Sequence, residues 1–140
     1  MKKIMAILVI ISGISFAKSS DKILHCYSYG DSENGVEVSI MKSEKQFSAK
    51  FIEIIIGGRI TSDIGELSYK NSEENSFEVY NLKGDSKYFS VFKLRVWPDD
   101  IQEMVVGWPQ TKKIKGFFAI LDLQFHGGTA PTPGNFVCQE

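Results

Sequence analysis

The amino-acid sequence predicts an all-β protein, a single small antiparallel barrel or sandwich of about seven to nine strands. Three observations lead there. Apolar and polar residues alternate with period two through most of the apolar segments, as half-buried strands require. Clusters of Gly, Asn, Asp, Ser and Pro interrupt these segments, at the spacing of about ten residues that short strands and turns produce. The only two cysteines, Cys26 and Cys138, stand near opposite ends of the β region. A bond between them would hold the first and last strands side by side, as a closed barrel does.

The first residues are not part of that domain. Lys2 and Lys3 precede an apolar run from Ile4 to Phe16, and the run closes on Ser15-Phe16-Ala17. A basic start, an apolar centre and a small-x-small end have the order of a secretory signal peptide. The expected organisation is therefore a signal peptide over 1–17 and one β domain over 18–140, exported to the periplasm or secreted. No later apolar run reaches the roughly 20 residues of a membrane helix. The longest, Phe117 to Phe125, contains Asp122, so no membrane span is expected after cleavage. The whole chain carries a net charge of −1, and removal of Lys2 and Lys3 leaves −3. Without a basic stripe, nucleic-acid binding is not expected.

The first strand is Ile23 to Tyr29, ending at Gly30-Asp31-Ser32-Glu33-Asn34-Gly35. Asn34-Gly35 suits a hairpin because both residues tolerate positive φ. Val36, Val38 and Ile40 then alternate with Glu37 and Ser39. From Gln46 to Ile56 the pattern changes: Phe47, Ala49 and Phe51 share one face, and Ile52, Ile54 and Ile56 the other. That switch calls for a bulge or for cover on both sides. Gly57-Gly58-Arg59 breaks the run, and Leu67 with Tyr69, then Phe77 with Val79, resume it. From Tyr88 to Trp97, Phe92, Leu94 and Val96 oppose Lys93, Arg95 and Trp97. Pro98-Asp99-Asp100 is read as the end of that strand. Beyond it, Ile101, Met104, Val105 and Trp108 fit a short hairpin strand and a helical turn near 99–106 alike. Ile114 to Phe125 alternates again, a Gly- and Pro-rich loop covers 127–135, and Phe136-Val137-Cys138 is a short final strand.

An isolated cysteine pair in an oxidising compartment forms one disulfide. Closing a loop of 112 residues stabilises by about 4–5 kcal/mol in the loop-entropy account.

No catalytic motif, nucleotide loop or metal-ligand spacing is present. His25 adjoins Cys26, so on a strand the two point to opposite faces, and His126 is twelve residues from Cys138; neither spacing suits zinc. A disulfide would also remove any cysteine nucleophile. Glu73-Glu74 and Asp99-Asp100 sit in expected turns, where acidic residues are solvated. Asp31, Glu33 and Asn34 lack the spacing of an EF-hand loop. Hence no catalytic residue, cofactor or metal is assigned. The binding candidates are the aromatics and histidine near expected loops or on the polar faces: Tyr27, Tyr29, Trp97, Trp108 and His126.

The strand count invites comparison with lipocalins, but their Gly-x-Trp near the first strand is missing from Leu24-His25-Cys26-Tyr27-Ser28-Tyr29. Glu37, Glu66, Glu78, Lys93 and Arg95 fall on the expected outer faces, which argues against a lipid-facing barrel. The expectation is an exported β domain that binds a small apolar ligand or a protein partner without catalysis. The alternatives are a small enzyme lacking a known motif, with His126 beside Asp122 or Gln124, and an inhibitor or adhesion module displaying the 127–135 loop.

Overall fold

A computed structural model describes residues 21–29, 35–55, 58–107, 110–128 and 132–140. Eight strands follow in order: β1 Asp21–Ser28, β2 Gly35–Ser43, β3 Gln46–Ile55, β4 Gly58–Ser72, β5 Phe77–Leu82, β6 Phe89–Val106, β7 Lys112–Phe125 and β8 Thr132–Gln139. Each pairs antiparallel with the next, and β8 returns to β1, so the sheet is a closed up-and-down barrel. The barrel alternative is the one adopted, and no helix occurs among the described residues.

Alternation along the strands sorts the side chains. Leu24, Cys26, Val38, Ile40, Phe51, Phe92, Leu94, Val96, Leu121 and Cys138 belong to one buried cluster inside the barrel. Their sequence neighbours point outward. An eight-stranded barrel has an interior just wide enough for side chains to fill. Here aromatic rings occupy both ends. Phe89 packs against Phe125 at 4.7 Å and Phe51 at 5.2 Å between ring centroids. At the other end Phe47, Tyr69 and Tyr80 stand 5.1–5.8 Å apart. Burial there raises the Tyr80 hydroxyl's pKa, with help from the Glu78 carboxylate. Glu78 does not lie on the outer face: it pairs with inward-facing Val96 and reaches Tyr69 at the rim.

The face switch in β3 has its counterpart on the neighbouring strand. The β3–β4 register slips between Ala49 and Lys50, where Gly65 takes a φ of 104°. One extra residue on β4 makes a bulge, and the positive φ suits glycine. Ser62 and Ile64 are buried before it and Leu67 after it, so the inward parity flips at that point.

Pro98-Asp99-Asp100 does not end the strand as the sequence suggests. Trp97 pairs with Phe118 and Ile101 with Phe117, so those three residues bulge out and β6 resumes. A proline at a bulge costs no ladder hydrogen bond. The helical turn near 99–106 is not formed, because Ile101–Val106 pairs residue by residue with Phe117–Lys112. Beyond the bulge this hairpin becomes an arm folded over the outside of β8 and β1. Met104, Val106 and Ile114 on its inner side form a second buried cluster with Val137, against Tyr27 and Phe118. Gly116 permits the close approach: a Cβ there would lie 2.3 Å from the Cys138 carbonyl oxygen. The arm's other side is open, with Ile101 and Val105 exposed.

The seam beneath the arm is short. Four residue pairs join β1 to β8, from His25↔Gln139 to Ser28↔Phe136. Cys26 and Cys138 are one of these pairs and form a disulfide that is fully buried.

Candidate binding surface

Two groups of outward side chains stand out, one on each side of the arm. The first runs across β5, β6 and β7. Phe77 lies 5.2 Å from Trp97, and Trp97 lies 5.5 Å from Phe118. The Arg95 guanidinium sits 6.0 Å from the Trp97 ring and is held by Asp122 at 3.0 Å. These contacts arise because Arg95 and Trp97 are alternate residues of one strand face, with Phe77 and Phe118 on its two neighbours. Beside Phe77, a shallow groove is lined by Ser68, Lys70, Val79, Asn81 and Lys93. Phe77 and Val79 give this groove apolar lining, and Lys70 and Lys93 give it cationic side chains.

The second group straddles β1 and β2. His25 pairs with Ser39 and Tyr27 with Glu37. Ser39 Oγ is 3.0 Å from His25 Nδ1, and Glu37 Oε2 is 3.4 Å from the buried Nε2. That last separation falls short of hydrogen-bond geometry. Arg59 approaches the same carboxylate at 3.7 Å. The ring also packs on Tyr27, whose other neighbour is the Lys112 ammonium from the arm. A serine, a histidine and a carboxylate in a row resemble a nucleophilic constellation. Here they stand on the wall of paired strands, where backbone N–H groups are engaged in the ladder rather than aimed at a developing oxyanion.

Burial lowers the pKa of His25 below 6.5, and Lys22 and Lys112 lower it further against the opposing pull of Glu37. The unfolded chain therefore binds a proton at a higher pH than the folded one. Stability is complete above pH about 6.5 and falls as pH drops from there through the folded-state value. Thermal melts of the wild type and His25→Asn between pH 8 and 5 are expected to converge as pH falls. Parallel melts across that range would contradict this account.

The structure separates the residues singled out in the sequence. Trp97 is half-buried in the aromatic row. Tyr27 is covered by the arm, and Tyr29 donates its hydroxyl proton to Gln102 of the arm at the edge of the same surface. Trp108 lies outside the described residues, as do 30–34 and 129–131. His126 is at the opposite end from the bulge, with its Nε2 on the Ser86 carbonyl. It does not engage Asp122, which pairs with Arg95, or Gln124, which donates to the Gly128 carbonyl at 3.2 Å. The β1–β2 register is what aligns His25, Ser39 and Glu37 in one row. Only the period-two placement of Glu37 and Ser39 hinted that they share a face.

No protein-family model matches the sequence, and neither the curated proteins nor the solved structures searched give a match.

Proposed function

We propose that this is an exported, non-enzymatic β-barrel that binds a protein partner on its outer wall rather than carrying a small apolar ligand inside. The observation that carries the reading is the interior. Phe51, Phe92 and Leu121, three side chains that would have to line a ligand cavity, are at most 2% exposed and pack into one cluster. The rings at both ends close the remaining approach. The Phe77–Trp97–Phe118 row supports the outer wall as the contact surface. Aromatic and arginine side chains dominate binding energy at protein interfaces, and this row has both. The buried disulfide and the basic-apolar-small leader support export.

Native mass spectrometry of the unreduced protein from the exported fraction tests the reading. The expected species is the chain from Lys18, two hydrogens lighter than its reduced mass, with no small-molecule adduct. An adduct that disappears on denaturation would overturn the proposal and return the barrel to ligand carriage.

A further inference from the structure

The wall of this barrel is not equally paired on every side. β4 has 15 residues, but β5 has only six and covers β4 from Leu67 to Ser72. Lys83 N–H adds one bond, to the Glu66 carbonyl. From Gly58 to Gly65 the strand is paired with β3 on one side, and among the described residues no strand pairs with it on the other. Gly58, Arg59, Ile60, Thr61 and Asp63 along this edge are all exposed, Ile60 at 48%. Strand edges of this length are normally blunted by Pro, Lys or a short strand, because their free N–H and C=O groups recruit another strand. No Pro or Lys lies between Gly58 and Gly65.

The sequence of the edge selects its own copy. Arg59 and Asp63 are equally spaced about Thr61. In an antiparallel pairing related by a two-fold axis at Thr61, Arg59 of each chain faces Asp63 of the other, and Thr61 faces Thr61. Arg59 and Asp63 stand on the same outward side as Thr61, alternating with inward Ser62. Opposite charges and paired β-branched residues directly across a ladder are stabilising, and like charges are destabilising. Within one chain Arg59 is 60% exposed and only 3.7 Å from Glu37. Asp63 makes no ion pair among the described residues.

We infer that two copies of this chain associate through β4, in a two-fold antiparallel ladder over residues 58–64 with reciprocal Arg59–Asp63 pairs. Such an isologous contact closes on itself and produces a dimer rather than a filament. The surface is distinct from the aromatic row, so the dimer stands or falls independently of the partner-binding reading.

Charge exchange provides the test. Sedimentation of the unreduced wild type over a micromolar to millimolar range is expected to show a monomer–dimer equilibrium. Arg59→Asp alone places two carboxylates opposite each other at both ends, and Asp63→Arg alone places two guanidinium groups there. Each is expected to weaken self-association by about tenfold or more. An equimolar mixture of the two variants regains both attractive pairs and is expected to form a heterodimer, and the double variant R59D/D63R a homodimer. Circular dichroism melts of each variant verify folding independently. A wild type that stays monomeric, or a dimer indifferent to the single exchanges, would overturn the inference.

Discussion

Replacing Cys26 and Cys138 together by alanine is expected to lower the melting temperature by roughly 20 °C. The bond closes a loop of 112 residues, and loop entropy at that length gives about 5 kcal/mol. Divided by the unfolding entropy of a domain of this size, that yields the expected shift. The bond joins two strands whose ladder has only four pairs, as few as β5 and β6 share, against the fourteen between β6 and β7. Alanine avoids burying a new hydroxyl inside the barrel. Differential scanning calorimetry of the oxidised wild type and the double variant decides it. A shift of only a few degrees would mean that residual structure already keeps the ends of the reduced, unfolded chain close together without the bond.

Phe89→Ala is the other large effect, at about 3–5 kcal/mol. Phe89 is fully buried and touches Phe51, Phe125 and Tyr88. Its removal leaves a void bounded by rings and aliphatic groups, which the rigid ladder cannot collapse. Whole domains are stable by only about 5–15 kcal/mol, so denaturant midpoints should move far. An apolar void of that kind stays dry and admits small apolar molecules. Benzene or xenon should therefore raise the stability of Phe89→Ala and leave the wild type unchanged. Equal stabilisation of the wild type would reveal an existing cavity and contradict the filled interior.

Much of the barrel was legible because its outer wall is wet. Lys93, Arg95 and Trp97 against Phe92, Leu94 and Val96 define a strand and its inward face from residue types alone, and the structure keeps both. The disulfide followed from two cysteines and their separation. What escaped was anything decided between strands. Pro98-Asp99-Asp100 reads as a stop because proline and turn-formers have the same local signature at a bulge and at a strand end; only the β7 partner, continuing through Gly116 and Ile114, tells them apart. Ile101, Met104, Val105 and Trp108 fit a hairpin strand and a helical turn alike in the sequence, whereas Met104 and Val106 with Ile114 form the arm's apolar side. That their apolar side meets Val137 and Tyr27 on the outside of the barrel depends on a glycine small enough to let two backbones approach. The row of His25, Ser39 and Glu37 required the β1–β2 register.

The burial of Cys26 and Cys138 also fixes an order of assembly. Both sulfurs face the packed interior, and the arm covers the seam from outside. A thiol oxidant or disulfide-exchange catalyst can reach them only while β1 and β8 are still apart, before the barrel shuts. Oxidation must therefore precede or accompany closure of the β1–β8 seam. Once shut, the bond is shielded from reductants in solution, and its lifetime becomes the lifetime of the folded barrel itself.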